Sequence, residues 1–262
     1  MTGALAGRVA VVTGGSGGIG SAVARGLTAN GAEVVIGSRR VFASQAGSTE
    51  RIDSLKVDVR STASVEAFLG AVIERHGAIH VLVTSAGTCH ATRLAAIEDA
   101  EWIDDIDVNL SGVFRCMRYC LPRMIAQRWG RIVNIASDIA LLGSPDYPAY
   151  CAAKAAVVSL TRSAGLEGAS HNVTCNTISP GWIDTEMARR SLADIAAASG
   201  ADAATLMGEV RRVMPRGRFV APAEIAHLAV QLCGDAAGAV TMQDITVAGG
   251  ARWYMEAIGG LR

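Results

Sequence analysis

The sequence predicts an α/β fold: a parallel sheet of about seven strands with helices on both faces. Three observations carry this. Short runs rich in Val and Ile recur along the 262 residues. Most of these runs are continuously apolar, as strands buried on both faces are. Between most of them lie longer segments with helical periodicity, and such alternation stacks helices over both sides of parallel strands.

The first strand is read in "RVAVVTG", followed by a helix whose stripe is Ile19, Val23 and Leu27. "EVVIGS" and "LKVDV" give the next two strands, and Val65, Phe68, Leu69, Val72 and Ile73 mark another helix. "HVLVTSAG", "RIVNIAS", "VTCNTISPG" and "DITVAGG" complete the sheet. In "PDYPAYCAAK" a helix starts near Pro148, which puts Tyr150 and Lys154 four residues apart on one face. The segment from about Trp182 to Met214 breaks the alternation and is rich in Ala, Met and Arg. No linker, repeat or low-complexity stretch divides the chain, so a single domain over 1–262 is expected.

Acidic and basic residues balance at 24 each, which gives no field favouring nucleic acid or a membrane surface. No apolar run approaches the roughly 20 residues that span a bilayer. The start, "MTGALAGR", lacks the basic-then-apolar form of a secretion signal. The six cysteines show no CxxC pair and read as reduced, mostly buried thiols of a cytoplasmic protein. His76 and His80 are separated by Gly77, which argues against one helix face, and no metal site is expected.

"TGGSGGIG", Thr13 to Gly20, follows the first strand and opens the first helix. Gly14, Gly18 and Gly20 let the backbone approach a pyrophosphate at the helix N-terminus, with Ser16 and Ile19 in the same turn. That context makes the turn a dinucleotide site.

The GxxxGxG spacing resembles the glycine motif of the short-chain dehydrogenase/reductase family, and the resemblance extends over nearly the whole chain. "TSAG" falls where that family has Asn-Asn-Ala-Gly. Asn109 in "DVNLSGVF" matches its active-site asparagine, Ser137 its serine, and Tyr150 with Lys154 its YxxxK. "SPGWIDT" resembles its Pro-Gly segment followed by a threonine. The resemblance implies a single-domain Rossmann-type doubly wound fold, and it is closest to the 3-oxoacyl-acyl-carrier-protein reductase branch. It implies cofactor contacts at Ala86, Gly87, Tyr150, Lys154, Pro180, Gly181, Ile183 and Thr185. Asp58 is implied beside the adenine, with Val59 packed on the ring. It further implies that Lys154 holds the nicotinamide ribose and that Asn109 anchors a water relaying protons through Lys154.

At the end of the second strand stands Ser38, not an acid, followed by Arg39 and Arg40. Guanidinium groups there suit a 2′-phosphate, so NADP is expected with Arg39 as main contact, and NAD is the alternative. A free tyrosine ionises near pH 10. An ammonium about 5 Å away, at an effective dielectric near 20, would stabilise the phenolate by about 3 kcal/mol and lower that value by about two units. Tyr150 is thus read as general acid in reduction and general base in oxidation, tuned by Lys154. Ser137 would hydrogen-bond the substrate oxygen.

The 182–214 segment falls at the family's substrate lid. Tyr147, Trp182 and Met187 are expected at the substrate with Ser137 and Tyr150. Met187, Leu192, Ile195, Leu206, Met207 and Met214 form either an apolar cover or ordinary helix packing. Arg189, Arg190, Arg211 and Arg212 suit an acidic substrate or are surface charge. Arg128 occupies one carrier-docking position of the branch, and His171 stands where another arginine is usual. The expected substrate is a small-molecule ketone or secondary alcohol, with 3-oxoacyl thioesters leading and a carrier-bound thioester included. Polyketides, sugars, polyols and hydroxysteroids are alternatives. A nicotinamide-binding redox sensor without turnover is the alternative of another class. "TSAG" lacks both usual asparagines, though Thr84 still offers a hydroxyl to neighbouring strands. Met242 and Ala248 replace a usual glycine and aspartate in a region the family uses for assembly. A homotetramer is expected.

Overall fold

The computed structural model describes residues 3–41, 52–200 and 202–251. The rest of the expected 1–262 domain, including residue 201 of the 182–214 segment, lies outside the described residues. The strands are β1 (Val9–Thr13), β2 (Glu33–Ser38), β3 (Ile52–Lys56), β4 (Val81–Thr84), β5 (Gly130–Ile135), β6 (Val173–Pro180) and β7 (Asp244–Val247). They form one seven-stranded sheet in the order β3-β2-β1-β4-β5-β6-β7, parallel throughout.

Strand alternation sends successive residues to opposite faces, and both faces are covered. Val12, Val34, Ile36, Val83 and Ile178 pack under α1 (Gly18–Ala29) and α9 (Pro222–Cys233). Val9, Val11, Val35, Leu82 and Ile132 face α2 (Thr62–His76), α4 (Gly112–Ala126) and α6 (Pro148–Gly168). This is the doubly wound architecture expected. One strand boundary differs from the reading. β3 ends at Lys56 because its register partner Ser38 ends β2, so Val57, Asp58 and Val59 run on beyond the sheet. Among the described residues no helix is long and apolar enough to cross a membrane, and all six cysteines are free thiols.

Helix α6 begins at Pro148, whose missing N–H and fixed φ suit a first helical turn. A buried polar chain ties it to the sheet. The Thr84 hydroxyl donates to Asn134 Oδ1 at 2.7 Å, and Asn134 Nδ2 donates to Thr161 Oγ1 at 2.9 Å. Thr161 in turn donates to the Val157 carbonyl at 2.8 Å. Thr84 thus reaches the neighbouring strand, as its hydroxyl allows. Met242 takes a left-handed φ of 61° and lies against Gly165 of α6, where a Cβ would collide with it. Ala248 is buried among Leu192, Val210 and Met214.

Replacing Asn134 by Ala would leave the Thr84 hydroxyl without its acceptor inside the core. A loss of roughly 1–3 kcal/mol is expected, read as a lower denaturation midpoint with an unchanged slope.

Candidate active site

The strand order reverses between β1 and β4, and a crevice opens outside the carboxyl ends of strands at such a point. The chain turns there through glycines that backbone geometry demands. Gly14 has φ +69°, and a Cβ on it would lie 2.5 Å from the Ala86 amide nitrogen. A Cβ on Gly18 would lie 2.6 Å from the Thr185 methyl carbon. Gly20 is buried in the first turn of α1, and Ile19 packs against the core. Gly17 precedes α1 without a side-chain cap, so no side chain occupies the N–H groups that open the helix. Gly14, Ser16 and Gly17 line the cleft with Ala86 and Gly87. A bare helix N-terminus beside glycine walls fits a dinucleotide pyrophosphate.

The far end of the cleft is formed by Ser38, Arg39, Asp58, Val59 and Arg60. The Ser38 hydroxyl bonds the Arg40 carbonyl, which turns the chain there. Arg40 is exposed and does not line the cleft. Arg60 Nε donates to Asp104 Oδ1 at 2.7 Å, which holds the Asp104 carboxyl below its usual range. Arg60, Ser85, Thr88 and Val108 also line the cleft and escaped the sequence reading. Ser85 and Val108 lie inside quoted motifs and Thr88 adjoins one, so these three were open to inspection. Arg60 becomes a wall residue only through tertiary packing.

At the inner end, Lys154 is 3% exposed and donates to the Ile135 carbonyl at 2.8 Å. Its nitrogen lies 5.5 Å from the Tyr150 ring centre. The Ser137 hydroxyl is hydrogen-bonded to the Tyr150 phenol. Asn109 sits in a π-helical turn, Asp107–Ser111, that follows α3 (Asp99–Ile106). Such turns re-aim side chains at functional sites. Its Nδ2 donates to the Thr88 and Asp105 carbonyls at 2.7 and 2.9 Å. A Cβ on Gly87 would lie 3.0 Å from Asn109 Oδ1 and 3.9 Å from Lys154 Nζ, so these side chains converge. Asn109, Ser137 and the α6 pair Tyr150 and Lys154 therefore come together from three separate stretches of chain.

The electrostatics correct one expectation. Burial pushes the Tyr150 phenol up, and the Cys89 thiol adds to this, while the Ser137 hydrogen bond pulls it down. Burial also lowers Lys154 from 10.5 to about 8. Desolvation of both groups outweighs the attraction that was expected to make the phenol acidic.

On the substrate side, Tyr147 is buried, not surface: its hydroxyl faces the Ser191 carbonyl at 3.5 Å on α7 (Glu186–Ser199). Burial pushes its phenol up to about 12. Cys89 Sγ lies 3.6 Å from Ser191 Oγ. Thr185 caps α7, its hydroxyl accepting the Ala188 N–H. Met187 is exposed and lines the cleft.

Trp182 is half-buried at the start of the 182–214 segment. It stacks on Phe219, centroids 6.1 Å apart, because its ring completes the apolar cluster between α7 and α8 (Ala203–Val213). Leu192, Met214, Leu206 and Met207 join that cluster, so helix packing accounts for them. Ile195 is half-buried. Ile183 is buried in the sheet core beside Val220, so only its backbone is available to a cofactor. Pro180 ends β6, and Gly181 lies against Asp138 and Ala248. Arg189 and Arg190 pair with Asp184 and Asp194, Arg211 lies over Phe219, and Arg212 is exposed. Arg128 and His171 precede β5 and β6, at the end of the sheet opposite the cleft.

The family model described as short chain dehydrogenase matches residues 8–196. A 3-oxoacyl-[acyl-carrier-protein] reductase of Vibrio harveyi is 36% identical over 250 residues, covering 94% of this chain and 98% of that protein. Its Escherichia coli (strain K12) namesake is 34% identical over 247 residues, covering 93% and 97%. An actinorhodin polyketide ketoreductase variant, solved with NADPH, superposes with a TM-score of 0.89 at 34% identity, covering 96% of this chain and 99% of that one. Levodione reductase gives 0.88 at 28% identity, covering 95% and 99%. The chain belongs to the short-chain dehydrogenase/reductase family, in the 3-oxoacyl-acyl-carrier-protein reductase-like branch, and is an NAD(P)-dependent oxidoreductase of CH–OH and keto groups.

Proposed function

We propose that this enzyme uses NADPH to reduce a 3-oxoacyl thioester or a ketone of similar shape. The observation that carries the reading is the convergence of Ser137, Tyr150, Lys154 and Asn109 beside Gly87, a wall residue of the glycine-lined cleft. When bound, the nicotinamide supplies the hydride and, once oxidised, a positive charge. Ser137 holds the substrate oxygen beside the phenol. Tyr150 gives its proton to that oxygen in reduction and removes it in oxidation. A phenol raised by burial holds its proton at neutral pH, as a general acid must, and the nearby ammonium favours the phenolate that is left. Lys154 also binds the nicotinamide ribose, and Asn109 anchors the water that resupplies the proton.

The turn from Gly14 to Gly20 would hold the pyrophosphate. Ala86, Gly87, Pro180, Gly181, the Ile183 backbone and Thr185 complete the nicotinamide end. Asp58 and Val59 flank the adenine. Arg39 in the cleft wall, with Ser38 in place of an acid, favours a 2′-phosphate over NAD. NADPH in the related polyketide ketoreductase agrees with this choice.

The 182–214 segment is read as a lid, with Met187 and Tyr147 at the substrate. Because Arg128 and His171 lie at the far end of the sheet, they offer no route from a docked carrier to the same protomer's cleft. A free thioester is therefore favoured. Exposed Phe114 and Leu166 on α4 and α6 support assembly, read as a homotetramer, and free thiols support a cytoplasmic setting. A sensor without turnover has no evident use for a buried ammonium beside a phenol.

Tyr150→Phe is expected to lower turnover at least about a hundredfold while cofactor binding survives. Steady-state rates with a 3-oxoacyl thioester, followed at the reduced-cofactor absorbance, test it, and near-normal turnover ends the proposed role. Arg39→Ala should reduce the ratio of NADPH to NADH affinity by roughly tenfold or more, equivalent to one charge-assisted contact. An unchanged ratio in paired titrations removes Arg39 as selector.

Lys154 has a lower pKa folded than unfolded, so between about 8 and 10.5 the unfolded chain binds more protons and stability rises with pH. Below that window the burial penalty is fully present, at about 3 kcal/mol. Lys154→Met should therefore abolish activity yet stabilise the fold at pH 7, by up to about 3 kcal/mol. That gain should vanish as pH approaches the unfolded value, measured by denaturant melts across pH.

A further inference from the structure

Asp105 and Asn109 stand four residues apart where α3 passes into the π turn, so they face the same way. Both hold the loop that leaves β4. Asn109 bonds Thr88 through its carbonyl and amide, and its side chain also meets the Asp105 carbonyl. The Asp105 carboxylate accepts the His90 backbone N–H at 3.2 Å and its Nδ1 at 3.0 Å. The Asp105 side chain is only 1% exposed. A carboxylate this deep is expensive unless a charge or several donors answer it. Nothing in the catalytic reading accounts for it.

The surroundings supply the answer. Lys154 faces the Tyr150 ring on its own helix and the Ile135 carbonyl on β5. Gly87, in the loop after β4, brings it beside Asn109, and the charges of Cys89 and then Asp105 act on it. Asp105 contacts His90 and feels the charge of Asp104, and its backbone carbonyl accepts from Asn109, the neighbour of Gly87 and Lys154. Burial raises the Asp105 carboxyl and lowers the Lys154 ammonium, while Cys89 first and Asp105 second act to keep Lys154 protonated. His90 links the pair outward, its Nε2 lying 4.0 Å from Asp104, which Arg60 holds at the cleft rim.

We infer that Asp105, fixed by His90, is a positioning residue whose carboxylate is the buried counter-charge of the Lys154 ammonium and whose grip on the loop sets Asn109 beside it. Its catalytic consequence rests on the role proposed for Lys154, but the charge coupling does not. His90 and Asp105 lie 15 residues apart in sequence, so only the fold brings them into contact.

The chain has two lysines, Lys56 and Lys154. Labelling lysine with carbon-13 at Cε therefore gives two NMR signals, and Lys154 can be titrated without any turnover. In the intact protein Lys154 should titrate near 8. In Asp105→Asn its midpoint should fall by at least about half a pH unit, with Lys56 unmoved, because an opposite charge has been removed. Asp105→Glu should restore most of the shift. The alkaline limb of kcat should move with the Lys154 midpoint, which a merely structural role would not produce. A folded Asp105→Asn protein with an unchanged Lys154 midpoint overturns the inference. Should that variant fail to fold, the unaltered protein decides. Its Lys154 signal must show a second, acidic inflection as Asp105 takes up a proton, and its absence is equally fatal. A shifted midpoint with an unmoved kcat profile supports the coupling and removes Lys154 from the catalytic reading.

Discussion

The desolvated ammonium of Lys154 is the constraint around which the site is arranged. It lies at the carboxyl end of β5, where parallel strands leave carbonyls without ladder partners, and Ile135 supplies one of them. An ion in that position is unfavourable unless neighbours answer its charge. Helix α6 places it there because Pro148 fixes where the first turn starts, and the Thr84–Asn134–Thr161 chain fixes how the helix sits on the sheet. A shift in α6 would move phenol and ammonium together.

The cofactor end follows from a different constraint, the approach of backbone to backbone. Gly14 meets Ala86, and Gly18 meets Thr185, so the loops after β1, β4 and β6 close on one another with no room for side chains. Thr185 joins the two ends. Its methyl group abuts the turn that opens α1, while its hydroxyl caps α7. The helix carrying Met187 over the cleft is thereby attached to the dinucleotide turn itself.

Much of this was legible in residue patterns. Continuous Val and Ile runs mark the central strands, which are buried on both faces because two helical layers exclude water from both sides, while the "LKVDV" run continues past the edge strand β3. Tyr150 and Lys154 fell on one face because helical spacing is local. The stacking partner of Trp182 was not legible for the opposite reason: Phe219 is distant in sequence. The phenol's shift was misjudged because a Coulomb estimate needs only a spacing, whereas desolvation depends on everything packed around the pair.

The sequence alone determined the layer architecture, the glycine turn and the identity of the candidate site side chains. These depend on periodicity, backbone freedom and residue type, which act over a few neighbouring positions. Only the tertiary structure decided which groups lose water and which charges answer one another. It buried Asp105 against His90, drew Lys154 beside Gly87 and stacked Trp182 on Phe219. Such outcomes depend on distances between segments far apart in the chain, and a linear pattern does not encode how deep a side chain will lie.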